Sequence, residues 1–206
     1  MAPRRERRGQ ETAGSTEEAI LRATAEILET TPVADLAVRA ILERAGVSRA
    51  TFYFYFGSKY APVAALFRRI LEDVLEAFDR HWAASDDADP KAGLRAALAA
   101  SYGLFEDNAA LLRAVADARG DEEIGAAFHA MIDRLVATAQ RKIDHERAAG
   151  RAPAGADSQA IAAAMIWMNE RCFHLHSLGA GSAWPTTDAL IDALAAVWTG
   201  AVYGDR

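Results

Sequence analysis

Two short amphipathic segments, separated by one glycine, constrain the fold of this chain more than any other feature of its sequence. The first places apolar side chains on one helical face, at Val38, Ile41, Leu42 and Ala45. Gly46 follows where a helix end favours the left-handed conformation, and Ser48 stands where the next helix needs an N-cap. Two short helices joined by a tight glycine-containing turn form a helix-turn-helix, whose second helix enters the major groove of DNA.

The second segment is a run of aromatic residues that ends at Lys59. Phe52 and Phe56 are four residues apart, so a helix turns both to one side, into a small core. A guanidinium, several hydroxyls and an ammonium then face outward and suit a phosphate backbone. These outward residues are Arg49, Thr51, Tyr53, Tyr55 and Lys59, with Phe54 near the border. The alternative is a twisted edge strand, because aromatic residues favour strands. The helix-turn-helix pattern upstream favours the helix.

The distribution of charge supports a localised DNA reader, a name we use for the helix-turn-helix together with the aromatic run that ends at Lys59. The chain of 206 residues carries a net charge of -6, which argues against a protein that coats nucleic acid nonspecifically. Residues 1–59 hold nine Lys/Arg against eight Asp/Glu, a net +1, whereas residues 60–206 hold fourteen against twenty-one, a net -7. Four basic residues and one acid, Glu43, lie between Leu36 and Lys59. Basicity therefore concentrates where a groove-reading element is expected.

Several other classes of protein find little support. The single cysteine, Cys172, excludes an intrachain disulfide and a thiolate metal cluster. His174 and His176 are two residues apart, which on a helix separates them onto different faces, so they make a poor metal pair. We find no glycine-rich phosphate loop and no nucleophile elbow, so we do not expect an enzyme. No long apolar span and no secretion signal is seen, and we expect a cytoplasmic protein.

Helical periodicity covers the rest of the chain, and we predict an all-α fold. A first helix opens with Ser15 and Glu18 as a capping pair and runs to about Thr31. Ser58 caps a longer helix to about Trp82, and residues 85–90 form a turn. Further helices are expected near 91–107, 109–118, 121–149, 157–179 and 186–203. The predicted domains are a basic flexible arm (1–14), a three-helix DNA-binding domain (15–59) and a six-helix ligand-binding and dimerisation domain (60–206).

The chain resembles the TetR family of transcriptional repressors. The resemblance lies in the segment Thr51-Phe-Tyr-Phe-Tyr-Phe-Gly-Ser-Lys59, followed by a long helix and a helical remainder. Phe52–Phe56, Met168–Arg171 and Val202–Gly204 resemble one member of that family across both domains. The resemblance implies a repressor that binds operator DNA as a homodimer, needs no cofactor and is released by a small lipophilic molecule. An apolar-ligand carrier without DNA binding is the alternative; it would keep the pocket without the basic surface.

The resemblance also implies roles for particular residues of the reader. Arg39 and Arg49 match positions that reach base edges. Ser48 matches the start of the recognition helix. Positions that hold phosphates or sugars are matched by Thr51, Tyr53, Phe54, Tyr55 and Lys59. Tyr60 and Pro62 depart from the family pattern, where the long helix begins. The basic residues 4–8 either form a solubilising tail or follow the minor groove as an arm.

In the C-terminal domain, the helices near 157–179 and 186–203 resemble the pair that forms a four-helix dimer interface. Their apolar residues, among them Leu194 and Val197, can equally form core within one domain. Asn169 is a polar amide among large apolar neighbours, and a buried amide needs partners in the protein or in a ligand. We expect a ligand. The resemblance places seven residues at a ligand tunnel, although ordinary core is the alternative for each apolar one: Leu94, Phe105, Phe128, Ile132, Leu135, Asn169 and Trp198.

Overall fold

The computed structural model describes residues 4–83, 89–180 and 183–204. Within these ranges the chain is helical and has no strand, which confirms the all-α prediction. The helices are α1 (Arg4–Leu28), α2 (Val38–Ala45), α3 (Arg49–Tyr55), α4 (Ala61–Phe78), α5 (Pro90–Asp107), α6 (Ala109–Asp117), α7 (Glu122–Ala148), α8 (Ser158–Ser177) and α9 (Thr187–Tyr203).

The last five helices begin and end close to the predicted positions because local signals determine their ends. The Asp157 side chain accepts the Ala160 amide at 2.8 Å and starts α8. Thr186 accepts the Ala189 amide at 3.2 Å and starts α9. Each side chain satisfies one of the amides that a helix start leaves without an intrahelical partner.

The start of the first helix was predicted wrongly. Its backbone is helical from Arg4, so Ser15 lies inside α1 and does not open it. The residues before Ser15 are rich in arginine, glutamate and glutamine, which extend helices well, and this propensity outweighs the local capping signal. At the other end α1 stops at Leu28, shortly before Pro32, whose ring disfavours a helical residue ahead of it. Residues 1–3 of the predicted arm lie outside the described ranges.

Ser58 caps the long helix as predicted. Its Oγ accepts the amides of Tyr60 and Ala61, each at 3.1 Å. Helix α4 itself ends at Phe78, and the predicted continuation takes the form of one π-helical turn, Asp79–Ala83. Most of the turn predicted at residues 85–90 lies outside the described ranges. Its end is described: Asp89 accepts the Lys91 amide at 3.1 Å and starts α5.

The chain divides into two compact units. The first comprises Met1–Arg69 and Ala110–Phe128, and the second comprises Ile70–Ala109 and His129–Arg206. Buried side chains of the first unit include Ile20, Ile41, Phe52, Phe67 and Ile124. Those of the second include Trp82, Leu94, Tyr102, Ile143 and Trp198. The predicted DNA reader lies wholly in the first unit, which also takes in α6 and the start of α7.

Candidate functional site

The turn between α2 and α3 is held by backbone conformation and by a side-chain cap. Gly46 adopts φ 68° and ψ 32°, and its amide donates to the Leu42 carbonyl at 3.0 Å. A Cβ at Gly46 would meet nothing within 4 Å, so glycine is favoured by its positive φ and not by a lack of space. Ser48 Oγ accepts the Thr51 amide at 3.0 Å and begins α3. The predicted helix-turn-helix is confirmed.

The inner face of α3 anchors it to the first unit. Phe52 and Phe56 are both buried, as their spacing predicted, and their ring centroids are 5.9 Å apart. Tyr53 meets the Phe52 ring edge-on, with centroids 5.3 Å apart. Burial of Phe52 and Phe56 fixes the rotation of α3 about its axis and so decides which side chains face outward.

Three residues of α3 differ from expectation. Phe54 was expected near the border of the core, yet it is 80% exposed, the largest value among the exposed large apolar side chains of the described residues. Thr51 was expected to face outward and is half-buried, with its Oγ1 2.8 Å from Ser48 Oγ. The reason is local: the N-cap draws the Thr51 hydroxyl into the turn. Tyr55 is half-buried too, and its ring meets the Phe54 ring edge-on.

The basic side chains around α3 are held in different ways. The Arg49 guanidinium is exposed and lies 5.5 Å from the Tyr53 ring centroid, and the Tyr53 side chain is 44% exposed. Arg39 is exposed on α2, and Glu43, at 2.7 Å, raises the pKa of its guanidinium by a hydrogen bond. Lys59 Nζ donates to the Ala34 carbonyl at 3.0 Å, so its ammonium is held against the turn before α2. The Arg49 guanidinium thus lies beside an exposed aromatic ring, and Arg39 is exposed on the preceding helix.

In the second unit, the buried amide predicted to meet a ligand already has a protein partner. Asn169 Oδ1 accepts the Trp198 indole N–H at 3.1 Å, and Trp198 is buried. The Trp198 ring meets that of Trp82 edge-on at 5.4 Å, and Trp82 donates to the Tyr203 hydroxyl at 3.2 Å. Burial raises the pKa of Tyr203 to about 12. Sequence reasoning missed Trp82 and Tyr203, since nothing in the local pattern marks a pair so far apart in the chain.

The other apolar ligand candidates fall in different places. Leu94 and Ile132 are buried, and Leu135 is half-buried, all in the second unit. In the same unit the Phe105 ring lies 5.9 Å from that of Phe173, a residue that the prediction omitted. Phe128 belongs to the first unit instead. Its ring stacks 6.2 Å from Phe67, and the Arg119 guanidinium lies 4.1 Å from its centroid.

A buried ion cluster, also missed from the sequence, lies near the end of α7. Glu146 is buried and receives Arg151 Nε and Lys142 Nζ, each at 2.8 Å. Hydrogen bonding from Arg151, and then from Lys142, lowers the pKa of the Glu146 carboxyl to about 2 against the opposing effect of burial. Two cations hold one carboxylate ionised here, so the arrangement stabilises the end of α7 and presents no general base.

The apolar residues of α8 and α9 divide into core and surface. Leu194 is buried in the second unit, so of the two roles left open for it the structure shows core within one domain. Val197 is 47% exposed, Trp167 of α8 is 42% exposed, and Leu178, which follows α8, is 52% exposed. Small residues surround Val197 on the exposed face of α9: Ala193, Ala196, Gly200 and Ala201. We call Val197 with these four small residues the α9 face.

The described residues include no helix that is long and apolar enough to cross a membrane. In the same part of the chain, no cluster of three or more histidine, cysteine, aspartate or glutamate side chains has the arrangement of a metal site.

Models of known protein families match both the N-terminal and the C-terminal part of the chain. Residues 20–66 match the family model "Bacterial regulatory proteins, tetR family", and residues 94–204 match "Transcriptional regulator EthR, C-terminal domain". Over 204 residues the chain is 31% identical to the HTH-type transcriptional regulator EthR of Mycobacterium tuberculosis, covering 97% of this chain and 94% of that protein. Identity to EthR of Mycolicibacterium smegmatis is 29% over 202 residues, with coverage of 97% and 92%.

Solved structures share the fold. A putative TetR-family transcriptional regulator from Syntrophomonas wolfei superposes with a TM-score of 0.74 at 17% identity, covering 91% of this chain and 95% of that one. The predicted resemblance to one family member, the ethionamide-resistance repressor EthR, is confirmed by the identity along nearly the whole chain.

Proposed function

Because this chain belongs to the tetR family of bacterial regulatory proteins, and so is a transcriptional regulator and not an enzyme, we propose that it is a ligand-responsive repressor. In this proposal it binds operator DNA as a homodimer in the cytoplasm, and a small lipophilic molecule releases it. The observation that supports this best is the outer face of α3. Arg49 and Tyr53 are exposed on a helix whose rotation is fixed by Phe52 and whose start is fixed by Ser48.

Within this face the side chains have different tasks. Arg49 projects into solvent and offers a planar pair of donors, the group that most often reads guanine in the major groove. Arg39 is likewise exposed and reaches a base edge or a phosphate from α2. The hydroxyls of Tyr53 and Tyr55 hold phosphates, and Thr51 and Lys59 assist from the rim of the surface. Ser48 acts through the helix start that it caps.

A homodimer is the form that this surface needs. Two recognition helices bind two half-sites about 34 Å apart, one turn of the DNA helix. The α9 face, with Trp167 on α8 and Leu178 at its end, supplies apolar side chains that one protomer leaves exposed. Small residues on α9 allow a second helix to approach closely. In a two-fold interface the same patch serves both protomers.

The effector binds in the second unit in this proposal. Six of the seven predicted wall residues lie there, and their side chains are mostly apolar. No hydrogen bond of Asn169 Nδ2 is found within the described residues, so this amide nitrogen has a donor to offer while Oδ1 is occupied by Trp198. An effector that binds the released state about 1.4 kcal/mol more tightly than the DNA-bound state lowers operator affinity tenfold.

Fluorescence anisotropy with the DNA upstream of the chain's own gene tests the proposal. The wild-type protein should bind this duplex at least about a hundredfold more tightly than a scrambled duplex of the same length. Arg49→Ala should reduce that preference by about 1–3 kcal/mol. A protein that lipophilic compounds stabilise in a melting screen, yet that shows no preference for any duplex, would instead be an apolar-ligand carrier. Ligand at a hundred times its dissociation constant adds about 2.7 kcal/mol to the unfolding free energy, which such a screen detects.

A further inference from the structure

Phe54 is an exposed side chain of α3 to which the proposed DNA contacts assign no role. It is 80% exposed, although a phenylalanine in contact with water forfeits the stabilisation that burial of its ring provides. Resemblance to the family implies a contact with phosphate or sugar. A phenyl ring carries neither a charge nor a hydrogen-bond donor, so a phosphate gains nothing from it. An exposed ring in this place therefore calls for an apolar partner.

Position on the helix shows where that partner must lie. Each residue turns an α-helix by about 100°, so Phe54 lies about 200° around α3 from the buried Phe52. It thus projects from the side of α3 opposite the core, together with Ala50 one turn earlier, which is also exposed. Arg49 and Tyr53 lie on one flank of this pair and Tyr55 on the other. The outermost line of the helix is apolar, and the polar groups form its two edges.

The ring is also held in place before any partner arrives. Phe54 meets the Tyr55 ring edge-on, with centroids 5.1 Å apart and ring planes at 87°. Tyr55 is itself half-buried, so it connects the exposed ring to the body of the unit. Such support restricts the rotamers of Phe54 in the free protein and reduces the conformational entropy that binding removes.

We propose that Phe54 reads bases, by packing its ring on the C5 methyl groups of thymines in the major groove. This inference rests on the proposed DNA-binding function. When a helix enters the major groove, the line of side chains opposite its core faces the base edges, and its flanks lie nearer the two phosphate backbones. A long side chain on a flank, such as Arg49, still reaches a base edge. The C5 methyl of thymine is the apolar group that base pairs present there. Phe54 then selects thymine at the centre of each half-site, between the contacts of Arg49 and Tyr55.

Uracil substitution tests this directly, because uracil lacks the C5 methyl and keeps every hydrogen-bonding group of thymine. The probe is a duplex that the wild-type protein selects from a random pool, prepared once with thymine and once with uracil. Wild-type protein should bind the thymine duplex about fourfold more tightly for each methyl contacted, and by the square of that factor when two half-sites are read. Phe54→Ala should bind both duplexes alike. Tyr53→Phe is the matched control: it weakens both and keeps their ratio.

The outcomes separate this inference from the proposed function. If wild-type protein selects no duplex, the repressor reading fails and the inference fails with it. If it selects a duplex but binds the uracil form equally well, only the role of Phe54 is overturned. A thymine preference that persists in Phe54→Ala assigns the methyl contact to another residue and also overturns it. So does a smaller particle for Phe54→Ala in light scattering, since Phe54 would then lie in a protein interface. Because Phe54 is exposed, its variant should melt at the wild-type temperature.

Discussion

Replacing Asn169 with leucine should destabilise the second unit, because the amide oxygen is the partner of a buried indole. Trp198 Nε1 donates to Asn169 Oδ1 at 3.1 Å, and Trp198 is buried, so water cannot take the place of the lost oxygen. Leaving a buried donor unpaired costs about 1–3 kcal/mol. For a chain of this size, a loss of 1 kcal/mol lowers the melting temperature by about 2–4 °C. The expected fall is therefore roughly 2–12 °C.

A double-mutant cycle isolates this contribution. Trp198→Phe removes the indole N–H and also leaves a gap beside Trp82, so it destabilises the protein by itself. In the double variant the unpaired donor no longer exists, and Asn169→Leu should then cost little. Calorimetric scans of the four proteins give the coupling energy. Additive losses, or a single Asn169→Leu variant as stable as wild type, would refute the structural role of the amide oxygen and leave the residue to a ligand alone.

Three further predictions concern the reader, the dimer and the buried ion cluster. Arg49→Ala should weaken operator binding by about 1–3 kcal/mol and relax discrimination at one base pair, whereas Tyr53→Phe should weaken all duplexes alike, as titrations on operator and scrambled DNA measure. Val197→Glu should give a folded monomer in light scattering, because a two-fold interface would desolvate the charge twice. Leu194→Glu, by contrast, should unfold the core. A native dimer of Val197→Glu would place the interface elsewhere. The pKa of Glu146 lies at about 2. Its ion pairs should therefore stabilise the protein fully above about pH 4.5, the ordinary range of a glutamate, and this stabilisation should be lost as pH falls toward 2. Acid titrations of Glu146→Gln should show a shallower loss of stability than those of wild type.

Much of the DNA reader could be predicted from residues close together in the chain. The N-cap at Ser48 and the positive φ of Gly46 depend on neighbours within about one helical turn, and the spacing of Phe52 and Phe56 puts both on one side of the helix. Phe54 was expected near the border of the core and is 80% exposed. Helical spacing puts it about 200° around α3 from Phe52, so once Phe52 is buried Phe54 must face outward.

The amino-acid sequence by itself determined the all-α class, the helix ends of the C-terminal half and the location of the reader, because periodicity, caps and glycines act over a few residues. Only the tertiary structure decided the partners of the buried polar groups. Asn169 and Trp198 are 29 residues apart, and Trp82 and Tyr203 are 121 apart, so no local pattern encodes their hydrogen bonds. The split of α9 into a buried Leu194 and an exposed Val197 likewise follows from how α9 packs against its neighbours, since helical spacing alone cannot say which apolar residues another helix will cover.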